Sequence, residues 1–303
     1  MIAFWSVITV ILTSLLVSFI LSGHFSNPFR WNFNYSGPTG ATKTTEKSFA
    51  CDGIDKINLS VASADVSFSK SPDNNIRVTV EGTTDSQGNN LFDVAQSGST
   101  IEITQKSRDW GFFLFNFGSV HNRVSIQLPE SYKKDLSASL TSGDITFNGD
   151  YTFGNADIRK TSGDVNGGSI TADTFTFKST SGDSNLSKVC ANYTISSISG
   201  DIKISDLEGH GSVNTTSGEF SCNISKLDGS FNYSAISGDA QIGIAKGIGA
   251  NLSANTVSGD VSANFDLEYN GRGSHNATAK IGNSPYNSMS FSTTSGDIRL
   301  NLS

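Results

Sequence analysis

The sequence predicts an all-β protein: a β-solenoid (β-helix) of rungs of about 19 residues, preceded by one N-terminal transmembrane helix. Three observations support this prediction. A Ser-Gly-Asp tripeptide recurs at nearly even spacing through the C-terminal half. Apolar residues alternate with polar ones on both sides of it, as in strands with one buried face. The first 23 residues contain no charged side chain, and such a stretch is long enough to span a bilayer as a helix.

The tripeptide is the strongest signal. It occurs eight times, once with Glu in place of Asp, and successive glycines are separated by 20, 19, 18, 18, 20, 21 and 37 residues. Glycine takes the positive φ of a sharp corner without strain, and the carboxylate after it can accept backbone N–H bonds. We therefore predict structural turns at these positions, with no catalytic, cofactor-binding or metal-binding residue among them; a cation bound between stacked carboxylates is the less favoured alternative. The turn residues are Gly143, Asp144, Gly163, Asp164, Gly182, Asp183, Gly200, Asp201, Gly218, Glu219, Gly238, Asp239, Gly259, Asp260, Gly296 and Asp297.

The flanking residues fix the predicted register. Apolar residues stand two and four positions after most of the glycines, which predicts that Cys222 is a buried, reduced thiol. The last interval is about two periods long and predicts a rung near residues 280–283 that has lost the tripeptide. A β-branched residue stands two positions before every glycine, which predicts a ladder along the rod. These residues are Thr141, Thr161, Thr180, Ile198, Thr216, Ile236, Val257 and Thr294.

The region before the repeats is also predicted to be β-structure. Residues 57–68 form an early, degenerate copy in which Ala64 replaces glycine. An aromatic loop at 110–117 lies between two of the further strands. It could cap the open end of the solenoid or contact a partner, and we favour the cap. The further strands are predicted at 76–81, 91–95, 100–104 and 123–128.

The N-terminus is predicted to anchor the chain. We assign residues 1–23 to a transmembrane helix, 24–48 to a juxtamembrane linker, 49–135 to an N-terminal β-region and 136–303 to the repeat solenoid. A cleaved signal peptide is the alternative, but no Lys or Arg precedes the apolar stretch. Charge placement alone would put the body in the cytoplasm. The Lys-poor, Asn/Ser/Thr-rich body favours a single-pass protein of the cell membrane with an extracytoplasmic body.

The early rung at Ala64-Asp65-Val66, the strand at 124–129 and the tripeptides resemble the bacterial putative-adhesin family of unknown function with Ser-Gly-Asp β-strand repeats. The resemblance covers residues 49–303. It implies a membrane-anchored β-solenoid outside the cell and supplies no catalytic residues.

Composition narrows the possible functions. A net charge of −7 disfavours nucleic acid as a partner, and the basic residues and the four histidines are scattered along the sequence. We therefore expect no enzymatic activity and no cofactor. The predicted function is that of a non-enzymatic surface or envelope protein that makes adhesin-like contacts with a protein or glycan and meets the membrane through its N-terminal helix. The alternatives are an accessory protein of envelope-stress signalling and a carbohydrate-active β-helix enzyme.

Overall fold

The computed structural model describes residues 42–84, 90–106, 122–271 and 273–303. Every regular element within these ranges is a β-strand, which confirms the all-β prediction. Across the same ranges, no helix has the length and apolarity needed to span a bilayer. The predicted transmembrane helix at 1–23 and the aromatic loop at 110–117 lie outside the described residues.

The strands are β1 (Thr42–Ala50), β2 (Lys56–Ser63), β3 (Asp65–Lys70), β4 (Asn75–Thr83), β5 (Phe92–Ser97), β6 (Thr100–Gln105), β7 (Arg123–Leu128), β8 (Asp135–Ser142), β9 (Ile145–Phe147), β10 (Tyr151–Lys160), β11 (Val165–Ser179), β12 (Ser184–Ser197), β13 (Ile202–Ser217), β14 (Phe220–Ser237), β15 (Ala240–Ile244), β16 (Ala250–Ser258), β17 (Val261–Ala263), β18 (Glu268–Tyr269), β19 (Asn276–Ile281), β20 (Asn287–Ser295) and β21 (Ile298–Leu302).

Parallel pairing of successive coils builds the centre of the rod. Strand β12 pairs in parallel with β11 on one side and with β13 on the other. Within β12 the buried residues alternate with outward ones, and the alternation shifts by one residue between Leu186 and Val189. That shift marks a bend, so one continuous strand turns its buried side chains toward the same interior before and after the bend.

Apolar side chains fill the interior in columns, because each inward position is repeated one coil further along. The rings of Phe220 and Tyr233 stack with centroids 5.4 Å apart, and those of Phe231 and Phe291 lie 5.5 Å apart. Each fully buried side chain of this size stabilises the fold by roughly 1.5–3 kcal/mol through removal of apolar surface from water. Cys222 is buried in this interior, at the predicted inward position.

The coils at both ends are not stacked in chain order. At the N-terminal end, β2 lies between β6 and β8, and β3 lies between β7 and β9. Antiparallel pairs then cover the end of the rod, through β5 against β6 and through β1 against β4 and β4 against β7. The first parallel coil in sequence is therefore an internal coil in space.

The C-terminal end has the same kind of insertion. Strand β20 pairs in parallel with both β14 and β16, and β21 pairs with both β15 and β17. The last coil of the chain thus lies between two coils that precede it in sequence. The outermost coil is covered by β19, which runs antiparallel to β16.

Two sequence expectations are corrected by these pairings. Residues 280–283 do not form a degenerate parallel rung, because Lys280 and Ile281 belong to β19 of the covering hairpin. Residues 42–48 are not linker, because β1 begins at Thr42. Its side chains are exposed or half-buried on both faces, so the strand lacks the alternation that marks its neighbours.

Candidate functional sites on the outer wall

The Ser-Gly-Asp corners stack directly on one another. The eight corner glycines have φ values between 102° and 153°, and a Cβ on any of them would lie 1.8–2.4 Å from the backbone carbonyl oxygen of the adjacent corner. At Gly200, for example, that oxygen belongs to Gly182. Backbone conformation and the close approach of the next coil therefore both require glycine here.

The corner carboxylates are occupied by backbone hydrogen bonds. The amide of Asp164 donates to the Asp144 carboxylate at 2.8 Å, and the amide of Asp183 donates to Asp164 at 2.9 Å. Equivalent bonds link the other corners that carry Asp, and they follow the order of the coils in space. The amide of Asp260 therefore donates to the carboxylate of Asp297, at 3.0 Å, although Asp297 comes later in the sequence. Six of the eight corner carboxylates thus cap the amide of a neighbouring corner, which accounts for most of the acidic ladder. Among the described residues, no three or more His, Cys, Asp or Glu side chains are grouped as ligands for a metal ion.

A buried lysine lies beneath this ladder. Lys160 is only 5% exposed and its ammonium donates to the carbonyl oxygen of Gly163. Burial lowers the pKa of Lys160, and the nearby Asp164, Asp144 and Asp183 partly offset that effect. Serine or threonine occupies the equivalent inward position on five other coils, and Ser179 and Ser197 donate from it to corner carbonyls at 3.3 and 3.2 Å. This inward row therefore supports the corner from inside the rod.

An outer trough of about 580 Å³ runs beside the corners across six coils. Its two rows of outward side chains stand four and two residues before each corner glycine. The first row is Ser139, Arg159, Lys178, Ser196, Asn214 and Ser234. The second row is Thr141, Thr161, Thr180, Ile198, Thr216 and Ile236. The second row coincides with the predicted β-branched ladder, and all its members are exposed. None of the residues that line the trough is acidic.

A polar cluster occupies a different wall. It consists of Lys188, Cys190, Asp206, Glu208 and Ser225. The ammonium of Lys188 contacts the carboxylates of Asp206, at 2.9 Å, and of Glu208. Ser225 donates to the same two carboxylates. Both carboxylates of the cluster are therefore hydrogen-bonded by Lys188 and Ser225.

The pKa directions in the polar cluster do not fit acid catalysis. Partial burial raises the pKa of Asp206, but hydrogen bonds from Ser225 and Lys188 outweigh it, so the net pKa is lowered. The hydrogen bond from Lys188 lowers the pKa of Glu208. Partial burial, together with Glu208, raises the pKa of the Cys190 thiol. A glycosidase needs one carboxyl group with a raised pKa to act as acid, and a nucleophilic cysteine needs a lowered one.

The sequence analysis missed both the polar cluster and the trough. Their members are separated by one coil in sequence, so they look unrelated along the chain. A search for basic and acidic residues separated by one repeat would have found two pairs, Lys188 with Asp206 and His210 with Asp228. The side chains of each pair meet at 2.9 Å.

The coil architecture and its stacked glycine corners agree with a comparison of sequence families. The Toastrack DUF4097 family matches residues 54–301 of the chain. The chain belongs to this family. The Toastrack match begins before the first degenerate rung and ends within β21. No curated protein matches the chain.

Several solved structures resemble this Toastrack protein at low identity. A putative adhesin from Bacteroides fragilis is 14% identical, with a TM-score of 0.47, and the match covers 87% of this chain and 99% of that one. A putative cell adhesion protein from Clostridium sporogenes is 15% identical, with a TM-score of 0.33 and coverage of 87% and 100%. A putative lipid binding protein from Parabacteroides distasonis is 13% identical, with a TM-score of 0.37 and coverage of 86% and 97%.

Proposed function

We propose that this chain is a non-enzymatic, membrane-anchored surface protein whose rod makes adhesin-like contacts through its outer wall. The outer trough is the observation that carries this proposal. It is open to solvent along six coils, and its lining combines hydroxyl, amide, aliphatic and cationic side chains. Such a surface suits an elongated partner that lies along the rod axis.

The polar groups of the described residues support a binding role over a catalytic one. The corner carboxylates cap backbone amides, and Lys188 and Ser225 hydrogen-bond both carboxylates of the polar cluster. The carboxylates of Asp206 and Glu208 converge on Lys188, and both have lowered pKa values. A general acid is therefore not available from this pair at neutral pH.

Anchoring and placement are part of the same proposal. The uncharged segment 1–23 would hold the chain in the cell membrane, and the body would face outward. The net charge of −7 favours a protein or glycan partner over nucleic acid.

Cell adhesion with a matched pair of variants tests the proposal. The full chain would be expressed in a non-adherent bacterial host, and cells retained on immobilised proteins and glycans would be counted after washing. Asn214→Glu places a charge in the trough, whereas Asn185→Glu places the same charge on an exposed position of another wall. We expect retention by the wild type and by Asn185→Glu, and loss with Asn214→Glu. Equal retention of both variants, or no gain over the host alone, would contradict the proposal.

Protease treatment of intact, wall-stripped cells tests the placement. Digestion of the described β-body without lysis is the expected result. Full protection until lysis would place the body in the cytoplasm.

A further inference from the structure

The three most exposed large hydrophobic side chains of the described residues lie in one column. Ile198, Ile236 and Val257 are 54%, 59% and 75% exposed. Each stands two residues before a corner glycine, and each points outward from the same wall. Single exposed aliphatic residues are ordinary on protein surfaces, but three in register are not explained by chance exposure.

The insertion of the last coil sets their spacing. The registers of the flanking residues place Thr216 between Ile198 and Ile236, and Thr294 between Ile236 and Val257. Apolar residues therefore recur on every second coil. At about 4.8 Å per coil the repeat is about 9.6 Å. In chain order the column would read Ile198, Thr216, Ile236, Val257, Thr294, without this period.

The same wall is free of charge on these five coils. On each of these coils, the outward positions lie six, four and two residues before the corner glycine. They carry only Ser, Thr, Asn, Ile and Val on the coils that end at Gly200, Gly218, Gly238, Gly296 and Gly259. On the two preceding coils of the central stack the same positions include Asp157, Arg159 and Lys178. We name the five-coil region the uncharged face. Loss of charge together with exposed aliphatic residues is the composition of an interface core.

We propose that the uncharged face binds a polyproline-II peptide that carries an apolar residue at every third position. A polyproline-II helix advances about 9.3 Å in three residues, close to the ~9.6 Å column repeat. Same-face residues of an extended strand recur every ~6.6 Å, and an α-helix returns to one face after about 10.5 Å at seven residues. Over two intervals only the polyproline-II repeat stays in register to within about 1 Å.

The polar rows beside the column complete the recognition of such a peptide. A polyproline-II backbone makes no internal hydrogen bonds, so its carbonyl groups need donors. The amides of Asn214 and Asn255 and the hydroxyls of Ser234 and Ser292 stand next to the column and are exposed. These four side chains lie on successive coils and supply donors beside the apolar contacts.

Two other occupants fit less well. The uncharged face measures on the order of 300 Å² from its strand dimensions, well below the ~800 Å² per partner of a stable protein complex, which argues against a second copy of the chain. Its outward positions hold neither aromatic rings nor carboxylates, the groups that stack on sugars and bind their hydroxyls in pairs, which argues against a glycan.

Peptide binding to the full chain in lipid nanodiscs tests this inference, which rests on the proposed adhesive role of the outer wall. Fluorescence anisotropy would be measured with a labelled peptide of four Pro-Pro-Leu units, with a scrambled peptide of the same composition, and with a peptide of alternating Thr and Leu. We expect the Pro-Pro-Leu peptide to bind at least about tenfold more tightly than both others, because each aligned aliphatic contact contributes at least that factor.

Variants of the protein separate spacing from composition. Ile198→Thr combined with Thr216→Ile keeps the composition of the column but destroys its two-coil repeat, and it should weaken binding at least about tenfold. Ile236→Asn should do the same, whereas Thr152→Asn, at an exposed position of β10 outside both the trough and the uncharged face, should leave binding unchanged. Circular dichroism checks that each variant is folded.

Several outcomes would overturn the inference. They are equal binding of the scrambled or alternating peptide, full binding by the double variant, preferential binding of a cello-oligosaccharide, and self-association of the chain that Ile236→Asn abolishes. If peptide binding is absent while the cell-adhesion assay still distinguishes Asn214→Glu from Asn185→Glu, only this inference fails. If adhesion is absent as well, the proposed function fails with it.

Discussion

The amide of Glu219 donates a 2.8 Å hydrogen bond to the carboxylate of Asp201, one coil away along the rod. The carboxylate of Glu219 does not continue this ladder of hydrogen bonds. Among the described residues, no hydrogen bond joins its carboxylate to the amide of Asp239, the next corner in space. Glutamate is one methylene longer than aspartate, so its carboxylate is displaced from the position that the aspartates occupy. The ladder is therefore interrupted at one corner.

Glu219→Asp should restore the ladder. The shorter side chain would place a carboxylate oxygen at the amide of Asp239, and a hydrogen bond to a charged acceptor contributes roughly 1–3 kcal/mol to the free energy of unfolding. Urea denaturation followed by circular dichroism measures the gain. Glu268→Asp, on an exposed strand of the covering hairpin, is the control and should have no effect. An unchanged urea midpoint for both variants would show that the missing hydrogen bond contributes nothing to the free energy of unfolding.

Gly200→Ala should be strongly destabilising, by about 3 kcal/mol or more. The alanine would have to adopt φ +107°, and its Cβ would lie 2.3 Å from the carbonyl oxygen of Gly182. Gly53 has φ +83° with open space around it, so Gly53→Ala isolates the conformational cost and should lose only about 1 kcal/mol. Thermal or urea unfolding gives both values. Similar losses for the two variants would mean that close stacking of the corners is not a constraint.

Lys160 should give stability a distinct pH dependence. Its pKa is lower in the folded chain than its ordinary value of 10.5, so between those two values the unfolded chain binds more protons. The contribution of Lys160 to the free energy of unfolding must then rise with pH through this window. The difference between wild type and Lys160→Met, measured by urea denaturation at about pH 8 and at pH 10.5, should shift in favour of wild type at the higher pH. A shift in the opposite direction would mean that the corner carboxylates dominate and raise the pKa.

Two buried tyrosines should respond oppositely to loss of the hydroxyl group. Within the described residues the hydroxyl of Tyr193 has no hydrogen-bond partner, whereas that of Tyr233 lies 3.4 Å from the Thr215 hydroxyl. Tyr193→Phe removes an unsatisfied buried group and should stabilise the fold by about 1 kcal/mol. Tyr233→Phe removes a weak hydrogen bond and should cost about 0.5 kcal/mol. Paired denaturation curves test the contrast, and a loss for Tyr193→Phe would indicate a bonded hydroxyl.

The sequence was sufficient to predict the local structure of each coil. Its repeats placed Cys222 inside, the corner glycines at turns and the Thr/Ile/Val ladder in one column, because alternation and turn chemistry are local properties. The order of the coils was not predictable. Near-identical coils offer one another the same backbone hydrogen bonds, so nothing local decides that β20 pairs with β14 and β16 at once.

The remaining differences have similar causes. Strand β1 has little alternation because neither of its faces is fully buried, so Thr42–Ala50 resembled linker. The polar cluster escaped notice because Lys188 and Glu208 meet only when coils stack.

Disulfide trapping tests the inserted coil, on which both the architecture and the uncharged face depend. Ser234, Ser292 and Asn255 are outward, exposed and in register on β14, β20 and β16. With the native cysteines replaced by serine, we predict that Ser234→Cys/Ser292→Cys and Asn255→Cys/Ser292→Cys form disulfides on oxidation. Ser234→Cys/Asn255→Cys should not, because two coils separate these positions by about 9.6 Å, beyond the ~7 Å that a disulfide spans between Cα atoms. Rapid oxidation of the Ser234→Cys/Asn255→Cys pair, with none of the Ser234→Cys/Ser292→Cys pair, would show that the coils stack in chain order and would contradict the account.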